Sequence, residues 1–408
     1  MKNGLRDRRL FTILMIVFVQ IFGAAMVLPV LPLYAQREFN LRPEIITLLV
    51  SSFFAAQFLA GPLIGRLSDR YGRLPVLIIS QIGTVISFIL LIVAQSAGML
   101  FYSRILDGIT GGNIIVAQAY ITDISPREKR TQYLGLIFAA FGLGFIIGPA
   151  LGGILSAAFG EKIPFLVAAI AAAGTVILTW LVLDETVSPE QREASRTGKQ
   201  TSFSPGELLR NVPLVMILSI AFVGQFALGI IQSTFALFGE AVLFAGYSKQ
   251  TTDLGIGLLL SVVGVSQVIT QTALLPRFLK LYSEATLVVI GSILRTISLL
   301  VFAVVTAPWW AIIGLILLPM GLGVATPSLQ SLSTNTVPDD QRGGVLGLFQ
   351  SINSLSVIIS TAIGGVLFAI TPATPYWVGM ILSALVILPA LYLVRQFQPK
   401  VETTPSNV

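Results

Sequence analysis

The feature that most constrains this chain is a series of twelve apolar runs, each long enough to cross a lipid bilayer as a helix. The hydrocarbon core of a bilayer requires about 20 mostly apolar helical residues. Short polar loops separate most of the runs. The sequence therefore predicts an all-α membrane protein with twelve transmembrane helices, at residues 10–34, 44–66, 74–95, 98–121, 131–157, 163–183, 212–238, 254–276, 284–306, 309–333, 343–370 and 375–395.

The composition excludes a soluble protein. Of the 408 residues, 55% are hydrophobic and 11% are charged, whereas soluble domains carry about 25% charged residues. The net charge of +6 does not form a patch, because the basic residues occupy short loops between apolar runs. We therefore expect a lipid bilayer, and no nucleic acid, as a partner. The chain has no cysteine and no histidine, so any group that handles protons must be a carboxylate.

The basic residues also predict the orientation, since positively charged loops remain on the cytoplasmic side. With the N-terminus inside, 19 of the 25 Lys and Arg residues are cytoplasmic. Two more, Arg104 and Arg295, lie within apolar runs. We expect both termini in the cytoplasm and a multi-pass location in the plasma (inner) membrane. The opposite side then holds only four basic residues, Arg37, Arg42, Lys162 and Lys249.

One long polar segment divides the apolar runs into two sets of six. It is rich in Glu, Arg, Ser and Thr and lacks apolar periodicity, which is typical of a linker. The predicted organisation is an N-terminal six-helix bundle at 1–183, a cytoplasmic linker at 184–211, a C-terminal six-helix bundle at 212–396 and a cytoplasmic tail at 397–408.

The two sets of helices are related by an internal repeat. Parallel repeats with a substrate site between them, near the middle of the membrane, are typical of secondary transporters. The repeat therefore predicts two pseudo-symmetric halves that rock against each other. At a constant offset of 212, Pro126, Arg130, Leu134, Gly135, Leu136, Gly152 and Gly153 recur as Pro338, Arg342, Leu346, Gly347, Leu348, Gly364 and Gly365.

The loop after the second helix carries a specific motif, Gly65-Arg-Leu-Ser-Asp69-Arg70-Tyr-Gly72-Arg73. On the residues alone, it is a positively charged loop that fixes topology. It also resembles the signature loop of the major facilitator superfamily, a family of twelve-helix transporters. There the Asp docks against the start of the eleventh helix, where the helix dipole favours a carboxylate, here near Gly343. The arginines pair with an acidic residue that ends the fourth helix, here Asp123. The resemblance implies a gate that latches the outward-facing state.

The fifth helix is rich in small residues. Glycines four apart allow two helices to approach closely. The run Gly-Leu-Gly-Phe-Ile-Ile-Gly-Pro-Ala-Leu-Gly-Gly also resembles the superfamily's antiporter motif, which is associated with proton-driven export. The resemblance implies an exporter rather than an importer. The residues concerned are Gly144, Gly148, Pro149, Gly152 and Gly153.

The fourth helix places charge inside the membrane. Arg104 and Asp107 are three residues apart, so their side chains can touch, and the helical face that they share continues through Ile115 and Gln118, while Asn113 points another way. Charged groups within a bilayer face a partner or a water-filled cavity. Our hypothesis is that Asp107 binds a coupling proton and Arg104 tunes its proton affinity. The segment also resembles a superfamily motif linked to proton transfer. The alternative is a static ion pair that holds helices together.

Other polar residues lie in helices that are expected to flank a central cavity. Each glutamine among them has two open interpretations, which are contact with substrate and an interhelical hydrogen bond. Arg295, in the ninth helix, has three open interpretations: it pairs with a buried polar group, binds an anionic group of the substrate, or snorkels to the membrane surface. The glutamines are Gln20, Gln118, Gln225, Gln232 and Gln330.

Together these motifs resemble the twelve-helix drug:proton antiporters across nearly the whole chain, most closely the tetracycline efflux proteins. The first helix adds the similar run Pro29-Val-Leu-Pro32. The tetracycline exporters carry acidic residues where Gln20, Ser87 and Arg295 stand here. These differences disfavour a magnesium–tetracycline cation as substrate and favour neutral, amphipathic or anionic compounds.

The expected function is therefore proton-coupled export of small amphipathic compounds or drugs by alternating access. The alternatives are an exporter of a lipid, sugar or other metabolite on the same fold, and a membrane receptor that no longer transports. An enzyme is not expected, because Ser–His and Cys–His chemistry is impossible without His and Cys. We expect a monomer that uses no cofactor or metal, takes energy from the proton gradient, and has a small-molecule substrate as its partner.

Overall fold

The computed structural model describes residues 2–126, 130–187, 211–338 and 341–397. Helices account for nearly all of these residues, and no strand occurs among them. The prediction of an all-α membrane protein is confirmed. Most of the predicted linker at 184–211 and of the tail at 397–408 lies outside the described residues, and the predicted domain boundaries stay predictions.

Twelve membrane-spanning segments, α1 to α12, follow one another in the described part of the chain. The first six are α1 Lys2–Phe39, α2 Pro43–Tyr71, α3 Arg73–Ile92, α4 Ala97–Thr110 continued by Asn113–Ile124, α5 Arg130–Phe159 and α6 Ile163–Val182. The last six are α7 Val212–Phe238 with a π-helical turn at Gly239–Leu243, α8 Lys249–Ile269 continued by Thr270–Leu274 and Leu275–Leu281, α9 Glu284–Val304, α10 Pro308–Thr334, α11 Arg342–Ile370, and α12 Thr374–Leu385 continued by Ile387–Gln396.

The fourth segment differs from its prediction. Eleven helices of the described residues are long and apolar enough to span a membrane uninterrupted, and α4 is broken at Gly111 and Gly112. Glycine is a weak helix former, and a Cβ on Gly112 would lie 2.7 Å from Ile64 Cδ1 of α2. The glycine pair therefore lets α4 approach α2 closely, and the prediction of one continuous helix over 98–121 is wrong.

Apolar side chains cover the outside of the bundle. Trp309 and Trp310, at the start of α10, are 66% and 63% exposed, and Trp180, near the end of α6, is 72% exposed. Tryptophan is enriched where a membrane meets water. The apolar surface between these positions is what a lipid bilayer covers.

The bundle has a proximal and a distal end. The proximal end holds Arg9 and the α2–α3 turn at Gly72. The distal end holds Asn40 and the start of α8. At the distal end α2 and α11 are joined, since Thr47 Oγ1 accepts a 3.0 Å hydrogen bond from the backbone N–H of Gly365, and Ser51 Oγ donates one of 3.0 Å to the carbonyl of Ile358. Helices α5 and α8 are also in contact, so the two sets of six helices meet there.

Candidate functional site

An ion pair lies inside the first six helices. Arg104 Nη1 is 3.1 Å from Asp107 Oδ2, and the side chains are only 5% and 1% exposed. Helix α4 brings them together because residues three apart lie on the same face. Charges taken out of water are costly unless they are paired and hydrogen-bonded, so each of the two charges stabilises the other.

The surroundings of this pair are polar on one side and aromatic on the other. Arg104 Nη2 donates a 3.2 Å hydrogen bond to Ser87 Oγ of α3, and the guanidinium lies 5.8 Å from the ring centroid of Phe53 of α2. Asp107 also interacts with the hydroxyl of Thr84 of α3, although neither Asp107 Oδ1 nor Thr84 Oγ1 has a hydrogen bond of normal geometry among the described residues. The carboxylate therefore lies between Arg104 and a hydroxyl of the neighbouring helix.

The glycine break falls within the predicted shared face of α4. Ile115 is 44% exposed and lies against α2, where a Cβ on Gly61 would be 3.3 Å from its Cδ1. Asn113 is 1% exposed and donates a 2.8 Å hydrogen bond to Gln20 Oε1 of α1. The turn at Gly111 and Gly112 interrupts the helix between Asp107 and Ile115, and the shared face that continues to Gln118 stays a prediction.

A cavity of about 510 Å³ lies between α7, α8 and α10. On α8 and α10 its lining residues extend from the middle of each helix toward the proximal end. In the described part of the chain it is lined without a charged side chain. Its polar lining consists of Gln225, Gln267, Gln271, Thr326 and Gln330.

The predicted cavity glutamines separate into two groups. Gln225 and Gln330 line the cavity, whereas Gln20, Gln118 and Gln232 do not. The sequence reasoning missed Gln267 and Gln271, which line it from α8. Their spacing of four, one helical turn, was the available signal.

Arg295 of α9 is fully buried, with a relative exposure of 0%. Its Nε donates a 3.2 Å hydrogen bond to Ser383 Oγ of α12, and its Nη2 donates one of 3.4 Å to Ser292 Oγ. Of the three open interpretations, snorkelling is therefore wrong, because the guanidinium lies among helices rather than at the membrane surface. Pairing with buried polar groups is what the structure shows.

The loop between α2 and α3 forms its own ion pairs. Arg73 Nη1 lies 2.5 Å from Asp69 Oδ1, and Arg73 Nε lies 3.2 Å from Asp123 Oδ2. Gly72 has φ 110°, a conformation that glycine adopts readily. A Cβ on Gly343, at the start of α11, would meet no atom within 4 Å. Asp69 is paired with Arg73 in this structure, and its docking against the start of α11 stays a prediction.

Glu185 is a further member of this loop that the sequence reasoning missed. It accepts hydrogen bonds from the backbone N–H groups of Arg73 at 2.9 Å and Leu74 at 3.2 Å. A carboxylate is favoured at the start of a helix, where backbone N–H groups lack helical partners. Nothing in the local sequence signals this contact, because Glu185 is 112 residues from Arg73.

The glycines of α5 pack directly against α1. A Cβ on Gly144 would lie 2.8 Å from Ile21 Cγ2. A Cβ on Gly148 would lie 2.8 Å from Phe22 O, and one on Gly152 would lie 2.7 Å from Met26 O. On another side of α5, a Cβ on Gly153 would lie 2.5 Å from Asp253 O of α8. These glycines therefore bring α5 against both α1 and α8.

We expect Gly148→Ala to destabilise the protein by about 1–3 kcal/mol, the usual cost of overpacking. The added methyl group would collide with the backbone of α1, which cannot move as a side chain can. Thermal unfolding of purified protein in detergent measures the effect. Gly174→Ala is the matched control, because a Cβ there meets no atom within 4 Å. Equal unfolding temperatures for the two variants would contradict this packing account.

A charged network closes the distal end. Arg37 of α1 is 2.8 Å from Glu161 Oε1, 2.7 Å from Glu240 Oε1 and 2.8 Å from Asp253 Oδ1. Lys249 Nζ is 3.0 Å from Glu161 Oε1. Arg37 and Glu161 belong to the first six helices and the other three residues to the last six, so the network ties the two sets together.

The sequence reasoning missed this network as a unit. It includes two of the four basic residues predicted on that side, and this scarcity of basic residues was a usable signal. Three carboxylates meet two cations there, yet no group of His, Cys, Asp and Glu in the described residues has the arrangement of a metal site.

Comparisons with known proteins agree along the whole chain. The family model described as Major Facilitator Superfamily matches residues 13–252 and 231–407. A class H tetracycline resistance protein from Pasteurella multocida is 30% identical over 98% of this chain and 99% of its own length. A multidrug resistance protein from Bacillus subtilis is 26% identical over 92% of this chain and 93% of its own.

A solved structure has the same fold. A nucleoside transporter superposes with a TM-score of 0.80, covering 96% of this chain and 100% of its own. Because the identity is only 14%, this likeness concerns the arrangement of helices and not the substrate.

Proposed function

Because this chain belongs to the Major Facilitator Superfamily, we propose that it is a proton-coupled exporter of small amphipathic compounds or drugs. It is a multi-pass membrane transporter and not an enzyme. Its relatives are named as tetracycline and multidrug resistance proteins, which supports a drug as the cargo. The proposed exchange is antiport, in which a proton enters as the cargo leaves.

The observation that carries this proposal is the environment of Asp107. Its carboxylate is 1% exposed and is paired through Oδ2 with Arg104, whereas Oδ1 has no hydrogen bond of normal geometry among the described residues and the Thr84 hydroxyl is close by. A carboxylate in the interior of a bundle is costly and usually functional. Oδ1 gives a proton a place to bind without breaking the ion pair.

The distribution of contacts supports a conformation that is open toward the proximal end. The cavity extends from the middle of α8 and α10 toward the proximal end, while the Arg37 network and the α2–α11 contacts close the distal end. With both termini cytoplasmic, as the positive charges favour, the cavity faces the cytoplasm. Cargo then enters from the cytoplasmic side of the inner membrane.

The proposed cycle alternates access to this cavity. The bundles 1–183 and 212–396 rock against each other as units, and this movement exposes the cavity of the second bundle to one side of the membrane at a time. The motif at Gly65, Asp69, Arg70, Gly72 and Arg73 serves as the proximal gate and the Arg37 network as the distal one. The working unit is one chain, which needs no cofactor because the proton gradient supplies the energy.

Efflux from cells tests the proposed function. Bacteria that lack their main drug exporters would be de-energised, loaded with cationic, neutral or anionic fluorescent amphiphiles, and then re-energised with glucose. Cells that express the protein should lose at least one class faster than cells with an empty vector, and a protonophore should remove the difference. Equal efflux for every compound would overturn the exporter proposal.

A further inference from the structure

Among the described residues, two arginines are buried inside the bundle, Arg104 and Arg295, and only Arg104 has a counter-ion there. Arg104 has Asp107 at 3.1 Å. The guanidinium of Arg295 is hydrogen-bonded to the hydroxyls of Ser383 and Ser292, and it forms no ion pair with a described residue. A guanidinium remains charged in proteins. Arg295 therefore carries an uncompensated positive charge in the interior, which is costly unless an anion is bound for part of the time.

The hydrogen bonds fix the direction in which Arg295 can bind a partner. Ser383 engages Nε and Ser292 engages Nη2. The remaining nitrogen, Nη1, is turned toward α7, where a Cβ on Gly224 would lie 2.8 Å from it. Two serines thus position the guanidinium, and the missing side chain at Gly224 lets Nη1 pack directly against α7.

The contact between Nη1 and Gly224 adjoins the cavity. Gln225, the next residue after Gly224, lines the cavity, and so does Leu322. A Cβ on Gly224 would also lie 3.4 Å from Leu322 Cδ2, so Leu322 and Nη1 meet at the same glycine. Leu322 therefore lies at the boundary between the cavity and the guanidinium.

The lining of the cavity suits the rest of such a ligand. Leucine, valine and proline side chains provide apolar surface, and four glutamines donate and accept hydrogen bonds without adding charge. In the described part of this lining, no carboxylate would repel an anion.

We propose that Arg295 binds the anionic group of an amphipathic substrate, such as a carboxylate or sulfonate, which reaches Nη1 across Gly224 from the cavity. This proposal rests on the proposed export function and specifies the substrate class. Ser292 and Ser383 act as positioning residues that hold the guanidinium by its other two nitrogens. An arginine recognises a carboxylate by charge-assisted hydrogen bonds, which are stronger than neutral ones.

Transport of three matched probes tests the proposal. Pyrenebutyrate, pyrenebutanamide and a pyrenebutyl trimethylammonium salt share one aromatic body and differ only in charge. Purified protein in liposomes should transport the anion in preference to the other two. Arg295→Gln should lower transport of the anion about tenfold or more, the value of a hydrogen bond to a charged group, and leave the amide within about twofold.

Two further variants separate binding from folding. Gly224→Ala keeps the charge of Arg295 but places a methyl group against Nη1, so it should lower transport of the anion selectively. Gly174→Ala, which has open space, should leave all three probes unchanged. Arg295→Lys should retain part of the preference for the anion. If Arg295→Gln does not fold, Gly224→Ala and Arg295→Lys still decide the question.

The outcomes distinguish this proposal from the export function on which it rests. Transport of the amide or the cation without the anion would overturn the assignment of Arg295 and leave export standing. An equal loss of all three probes in Gly224→Ala would show a structural role and would also overturn it. If no probe is transported by the wild type, the export proposal itself fails.

Discussion

Asp107→Asn is expected to reduce transport driven by a pH gradient strongly while leaving exchange of substrate at equal pH on both sides. Asparagine keeps the shape of the side chain and an acceptor oxygen for Arg104, but it cannot take up a proton. The expected loss in pH-driven accumulation is about 5- to 150-fold, the ordinary range of coupling between two sites. Radiolabelled substrate in liposomes measures both modes on the same preparation.

Two companion variants make this result specific. Asp107→Glu keeps a carboxylate and should retain part of the pH-driven transport. Glu44→Gln neutralises a carboxylate that is paired with Arg42 on the outside of the distal end, so it should leave coupling unchanged. Neutralising Asp107 also leaves Arg104 without its counter-ion, so a monodisperse elution profile is required of each variant. Undiminished pH-driven transport in Asp107→Asn would show that the proton binds elsewhere.

Arg37→Ala is expected to open the distal end. Without the guanidinium, Glu161, Glu240 and Asp253 face one another with only Lys249 nearby. Removing one partner from a buried ion pair costs about 3–5 kcal/mol, and 1.4 kcal/mol is a tenfold change in an equilibrium. The population that is open at the distal end should therefore rise by about a hundredfold or more.

A single introduced thiol reports this opening, because the chain has no cysteine of its own. Ser51 is 5% exposed and is hydrogen-bonded across the distal contact to α11, so Ser51→Cys should react slowly with an impermeant maleimide. Adding Arg37→Ala should accelerate the reaction. Arg42→Gln is the matched control, since Arg42 is 79% exposed and pairs only with Glu44 of its own segment. Unchanged labelling in the Arg37 variant would show that the network does not hold the distal end closed.

The number and order of the helices were predictable, and the bend in α4 was not. Apolar length decides whether a segment spans a bilayer, and this signal is strong in each run. A hydropathy average does not detect two adjacent glycines, however, so the sequence predicts α4 as one continuous helix. The close contact of Gly112 with Ile64 of α2 is a property of the packed helices rather than of α4 alone.

The contacts of the candidate site were also only partly predictable from the sequence. The Arg104–Asp107 pair was predictable because both residues lie within one helical turn. The partners of Arg295 and Arg37 were not, because packing brings them together from 88, 124, 203 and 216 residues away. The resemblance to a known family implied the pair of Arg73 with Asp123, but it gave no indication of Glu185 or of the distal network.

Reversal of transport by a reversed pH gradient tests the central claim most directly. Wild-type protein would be reconstituted in liposomes that contain a pH-sensitive dye, with a transported amphiphile added outside. Proton-coupled antiport predicts that the amphiphile accumulates uphill when the lumen is acidic and is driven out when the gradient is reversed, with protons moving in the opposite direction each time. Equal accumulation under both gradients, with no movement of protons, would contradict the account.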